Sequence, residues 1–206
     1  YINCFMTRLR TPPSSQETQS GKKLSVTNKY TGKIIGEVPV TSRSEFEQIV
    51  KRAQKGFEIS SNLPVHQRGK ILSNASRLLQ EQKESFTDTL SQEAGKPWKD
   101  ASLEVERAVG TFAFAAEEAK QIRGETVPLD AGVGSEARLG FYLRVPVGIV
   151  GAITPFNFPL NLVAHKVAPA IASGCSVILK PASLTPLVSV KLKEVLLESG
   201  LPDEIL

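Results

Sequence analysis

Asn157 and Lys180 are the residues of this sequence whose type and placement best suit chemistry. Both lie in VPVGIVGAITPFNFPLNLVAHKVAPAIASGCSVILKPASLTP, residues 145–186. An asparagine amide donates two hydrogen bonds, which suits an oxygen that gathers negative charge during acyl transfer. Asparagine is also a common helix cap, so Asn157 fits either an oxyanion donor or the cap of the helix that follows it. A lysine ammonium suits ribose hydroxyls or a phosphate, and equally a solvated strand end.

The elements that must position these two residues are legible around them. Residues 147–153 are apolar without alternation, as expected of a strand buried on both faces of a parallel sheet. Pro159 opens a helix with apolar positions Leu160, Val163, Ala164, Val167, Ala168 and Ile171, and Gly174 closes it. Residues 175–179 read as a second buried strand running into Lys180-Pro181. Thr185-Pro186 opens a further helix to Ser199, and Leu201-Pro202 leads toward another strand. Strand, helix, strand, helix is a right-handed βαβα unit. In open α/β sheets ligands bind beyond the carboxyl ends of the strands, where Asn157 and Lys180 both fall.

Upstream, residues 23–39 predict a hairpin around Tyr30-Thr31-Gly32-Lys33. Ser42 and Glu45 form a capping box before a helix expected to bury Phe46, Ile49, Val50, Ala53 and Phe57. Pro64 suits the first turn of the next helix. Its stripe of Ile71, Leu72, Ala75, Leu78 and Leu79 continues through Phe86, Leu90 and Ala94 to a stop at Gly95-Lys96-Pro97. A helix is expected over about 101–122, with Val105, Ala108, Val109, Phe112 and Ala119 inward. Residues 137–145 alternate and predict a strand with one wet face.

Bulk composition narrows the classes. A chain of 206 residues can bury a sizeable core, and 41% apolar with 22% charged residues is ordinary globular usage. No apolar run approaches the length of a membrane span. The net charge of +4 sits in the first 30 residues, where Arg8, Arg10, Lys22, Lys23 and Lys29 face Glu17 alone. The remainder is neutral, which argues against a nucleic-acid-binding face. Cys4 and Cys175 have no motif spacing, which suits a reducing, cytoplasmic setting and neither a disulfide scaffold nor a metal site.

TPFNFPLNLVAHKVAPAIASGCSVILKPA resembles the signature of the aldehyde dehydrogenase superfamily, in which an aromatic-Asn-aromatic-Pro turn precedes a Lys-Pro pair. LSQEAGKPW resembles the glycine-lysine-proline turn of that family, and ASLEVERAVGTFAFAAEE its following helix. The likeness runs from about Gly21 to Leu206. It implies an α/β fold: the N-terminal part of the aldehyde dehydrogenase fold, a helical layer plus an incomplete parallel Rossmann-like sheet. Residues 1–20 would be a disordered tail and 21–133 the hairpin and helices of the cofactor domain. Residues 134–146 would give one strand of an oligomerisation arm, and 147–206 the first βαβα of the dinucleotide-binding sheet.

The resemblance implies oxidation of an aldehyde to an acid with NAD or NADP, through a cysteine thiolate and a glutamate that activates water. Asn157 would help to stabilise the oxyanion. Ile153, Thr154, Pro155 and Phe156 would line the cofactor channel, and Lys180 would bind the adenosine ribose. Ser183 stands where many NAD-preferring members carry a glutamate, so NADP is expected to be tolerated or preferred. Arg107 aligns with an arginine that contacts the anionic group of the substrate in some members; an ion pair with Glu104 or Glu106 is its plainer role. By position, the nucleophilic cysteine and the base lie beyond Leu206, and Cys175 is expected to be a buried, inert thiol. The 206 residues alone are therefore expected to be inactive. The alternative is a non-catalytic fragment or subunit that acts by association. Dimers or tetramers, with no nucleic acid and no membrane, are the partners the resemblance implies.

Overall fold

The computed structural model describes residues 21–206, so the expected tail and Cys4 lie outside the described residues. The hairpin forms from β1 (Lys23–Thr27) and β2 (Ile34–Pro39), paired antiparallel. The capping box of Ser42 and Glu45 starts α1 (Arg43–Asn62), with the Ser42 amide donating to Glu45 Oε2 at 2.7 Å. The stripe expected to continue from the second helix is divided at Gln82 into α2 (Val65–Glu81) and α3 (Lys83–Ala94). This break lets α3 turn to meet α4, α6 and β1. Gly95 ends α3 with φ 69°, a left-handed conformation that glycine adopts without a Cβ clash.

The central helix, α4 (Trp98–Glu118), begins earlier than the pattern suggests and buries Ala101, Val105, Ala108 and Phe112. Val109 is only partly buried. Beyond α4, β3 (Glu125–Val127) pairs antiparallel with β4 (Gly140–Tyr142). The strand expected over 137–145 is thus reduced to three residues. Its partner β3 is too short to show a period.

β5 (Ile149–Ile153) and β6 (Ser176–Lys180) run parallel, joined by α5 (Asn161–Ala172) and followed by α6 (Leu187–Glu198). This is the expected βαβα unit. Asp203–Ile205 form a 3-10 turn. One core joins the layers, with Leu72, Leu79, Phe86, Leu90 and Phe112 from the helical side and Val163, Val167, Ile171, Val177, Leu192 and Leu196 from the βαβα side.

Two expected burials fail. β5 is buried only in part: Ala152 is buried, while Ile153, at the carboxyl end of the strand, is exposed. Phe46 and Ile49 are exposed on α1, each lining a cleft against β6 and the segment after it instead of entering the core.

α1 is fixed to β6 by two hydroxyls in buried side chains. Ser60 Oγ donates to the Cys175 carbonyl at 3.0 Å, and Ser176 Oγ donates to the Ala53 carbonyl at 2.8 Å. Between them, Gly56 lies against the C-terminal turn. A Cβ there would stand 1.9 Å from the Glu204 carbonyl oxygen. Gly56→Ala should therefore force α1 and this turn apart, destabilising the chain by about 1–3 kcal/mol. Urea unfolding of the 206-residue chain measures this, and an unchanged midpoint would contradict the packing.

Candidate active site

The parallel register places Ile153 opposite Lys180 at the carboxyl ends of β5 and β6. The ladder continues one step past the strands, where the Thr154 amide donates to the Lys180 carbonyl at 3.3 Å. Thr154 is buried, and its hydroxyl has no partner among the described residues. Ile153, Pro155 and Phe156 are exposed beside it. Lys180 and Ser183 are also exposed and line a cleft of about 540 Å³. Its other walls include Leu24, Val38, Arg43 and Phe46. A cationic end, a hydroxyl and an apolar wall fit an adenosine phosphate. The orphaned Thr154 hydroxyl offers one more hydrogen bond at the same sheet edge.

Asn157 is exposed, and its side chain makes no hydrogen bond among the described residues. It is not the helix cap. The cap position of α5 is Leu160, with no side-chain hydrogen bond. The α5 N-terminus is held instead from α4, by a residue 56 positions away. Glu104, fully buried, accepts the Leu160 amide at 2.9 Å and the Asn161 amide at 3.1 Å on its Oε1. Its other oxygen pairs with Lys96, whose ammonium lies 4.0 Å above the centre of the Phe158 ring. A carboxylate at a helix N-terminus satisfies free amides and opposes the positive end of the helix dipole.

This arrangement decides the surroundings of Arg107. Glu104 is committed to Lys96 and α5, and Glu106 pairs with Lys83 at 2.6 Å. The Arg107 guanidinium has no ion pair or hydrogen bond among the described residues. It lines a cleft of about 300 Å³ together with Lys96, Asp100, Glu104, Asn157 and Phe158. The plainer role expected for Arg107 is thereby removed, and two unengaged donor groups, an amide and a guanidinium, share one cleft.

Glu93 repeats the device for α6. Fully buried on α3, it accepts the Leu187 amide at 2.8 Å and the Val188 amide at 2.9 Å. Burial pushes its pKa up from 4.5 to about 7. The two amides and the charge of Lys29 pull it down, and Glu104 pushes it further up. Sequence reasoning missed Lys96 and Glu93, and met Glu104 only as a partner for Arg107. A signal for both carboxylates existed: Glu104 stands on the stripe of Ala101, Val105 and Ala108, and Glu93 on that of Phe86 and Leu90. An acid on an apolar stripe requires partners across the fold. Among the remaining candidates, Cys175 is a buried free thiol, as expected. His165 is exposed in a groove between α4 and α5 and makes no hydrogen bond among the described residues.

The profile of the aldehyde dehydrogenase family matches residues 16–206. The chain belongs to the aldehyde dehydrogenase family. An aldehyde-dehydrogenase-like protein of Sinorhizobium fredii is 44% identical over 196 residues, 95% of this chain and 38% of that protein. The 3-sulfolactaldehyde dehydrogenase of Priestia megaterium is 43% identical over 183 residues, 89% of this chain and 38% of the enzyme. Among solved structures, glyceraldehyde-3-phosphate dehydrogenase GapN of Methanocaldococcus jannaschii, complexed with NADP, superposes with a TM-score of 0.83. It is 42% identical, over 88% of this chain and 40% of that one. The chain thus spans about 38% of the length of the curated relatives, and its helical layer and partial sheets form the N-terminal part of the aldehyde dehydrogenase fold.

The Glu93 shift has a measurable consequence. Its pKa is raised in the folded state, so its contribution to stability is fully present below about pH 4.5 and lost as pH rises through about 7. Glu93→Gln, which cannot titrate, should flatten the stability–pH curve across that window. Urea unfolding at a series of pH values checks this; parallel curves for the two proteins would contradict it.

Proposed function

We propose that the protein carrying this chain oxidises an aldehyde bearing an anionic group to the carboxylic acid, with NAD or NADP. The observation that carries this reading is the shared cleft of Asn157 and Arg107, neither of which is engaged by another side chain among the described residues. In this reading the Asn157 amide donates to the aldehyde oxygen as that oxygen takes on negative charge. The Arg107 guanidinium pairs with the remote anion and so orients the carbonyl. Two of the relatives' names agree in kind, since 3-sulfolactaldehyde and glyceraldehyde-3-phosphate both carry such a group, whereas lactaldehyde, named for a relative of Methanocaldococcus jannaschii at 45% identity, does not.

Bound NAD or NADP would supply the hydride acceptor. Lys180 would hold the adenosine ribose, with Ile153, Thr154, Pro155 and Phe156 lining the channel toward the nicotinamide. Ser183 leaves the ribose 2′ position without a carboxylate to repel a phosphate. Turnover is assigned to the whole protein and not to these 206 residues alone. Residues 21–133 and 147–206 serve the cofactor domain, and residues 134–146 an arm through which copies pair as dimers or tetramers. Leu139, Phe141, Leu143 and Val145 are exposed along that arm, which supports the assignment. A reducing, cytoplasmic setting suits the free thiol of Cys175.

Steady-state kinetics of the whole protein test the reading. Arg107→Leu should raise KM about tenfold or more for an aldehyde carrying a carboxylate, sulfonate or phosphate, and leave an uncharged aldehyde unaffected. An equal effect on both, or on neither, would reject the substrate class. The ratio of kcat/KM for NADP to that for NAD should be near or above one. A large preference for NAD would reject the role given to Ser183.

A further inference from the structure

The turn that carries Asn157 is fastened from α4 by a buried charge pair. We propose that Glu104 is a positioning residue for Asn157: it acts through the first amides of α5, with Lys96 as its partner, to fix where the Asn157 amide stands. The inference rests on the oxyanion role proposed above for Asn157.

Three of the four residues after Asn157 are tied to this pair. Leu160 and Asn161 give their amides to Glu104 Oε1. Phe158 lies under the Lys96 ammonium, which is itself paired with Glu104 Oε2. Lys96 is held in turn, because its carbonyl accepts the Ser91 hydroxyl at 3.0 Å. Asn161 has a second tie to α4, where Thr111 Oγ1 stands 3.4 Å from its Oδ1. By contrast, the Asn157 side chain makes no hydrogen bond among the described residues, so its placement depends on the backbone of the turn. An oxyanion donor must stand within a few tenths of an ångström of its working position. The fully buried Glu104 meets that requirement in a way a solvated cap would not. Its lone pairs are committed on one side to two amides and on the other to an ammonium, and water does not compete for them.

A role confined to holding α5 against α4 would give a different result. It would lower stability and leave the folded enzyme at full speed. The test compares Glu104→Gln, Asn157→Ala and the double variant in the whole dehydrogenase, with kcat, the KM for dinucleotide and the thermal midpoint recorded for each. Glu104→Gln should lower kcat by up to about 100-fold in folded protein while the KM for dinucleotide holds. The double variant should be no slower than Asn157→Ala, because the two substitutions disable one interaction. Losses that multiply, or full kcat in folded Glu104→Gln, would overturn the proposal. Should the Gln variant fail to fold, Glu104→Asp, which keeps the charge but withdraws it from the amides, takes its place in the same comparison.

If Asn157→Ala itself keeps full kcat, the oxyanion reading has failed. The positioning claim is then decided on the 206-residue chain by nuclear magnetic resonance. The Asn157 side-chain amide and the Phe158 backbone amide should shift or broaden in Glu104→Gln. Unchanged signals would overturn it.

Discussion

A helix that follows a strand begins with amides that have no carbonyl behind them, and in this fold those amides are answered by buried carboxylates from the helical layer. Glu104 on α4 takes the start of α5, and Glu93 on α3 takes the start of α6. A buried carboxylate that lost its partners would cost several kcal/mol, so the two layers assemble in one relative placement. The two sites differ in what balances the charge. Glu104 has Lys96 in direct contact, whereas Glu93 depends on amides and on the more distant Lys29. The raised proton affinity of Glu93 follows from its burial: the two amides and Lys29 do not offset its loss of water.

The two clefts at the carboxyl edge of the sheet are tied through adjacent strands. Thr154 on one side and Lys180 on the other share a ladder hydrogen bond. Parallel strands stand about 4.8 Å apart, so the spacing between the Lys180 end and the segment leading to Asn157 is a property of the backbone. Side chains then set the finer placement: Glu104 for the α5 side and Glu93 for the α6 side. The chemistry proposed for each cleft needs the other, because an oxidation requires substrate and dinucleotide to meet along this edge.

What was legible in the sequence was local. The hairpin, the capping box, the left-handed glycine at position 95 and the βαβα order each depend on residues a few positions apart, where periodicity and turn chemistry act. What was not legible depended on distant partners. The break at Gln82 follows from where α3 must lie against α4, α6 and β1. Phe46 and Ile49 have the spacing of a core face, yet they line clefts against β6 and the segment after it. The choice between cap and donor for Asn157 could not be made from its neighbours. The cap reading is ruled out by a glutamate 53 residues away, which takes the first amides of α5 and whose seat on an apolar stripe was the only mark it left in the sequence.

The serine pair between α1 and β6 bears on how this domain can deform. Packed helices commonly accommodate a ligand by sliding a fraction of a turn along a neighbour. Here such a shear would pull the Ser60 hydroxyl from the Cys175 carbonyl and the Ser176 hydroxyl from the Ala53 carbonyl at once. Each leaves a buried polar group unpaired, at about 1–3 kcal/mol apiece. The two bonds are donated in opposite directions, one from helix to strand and one from strand to helix. In any deformation of the domain, α1 and β6 would therefore travel as one rigid piece.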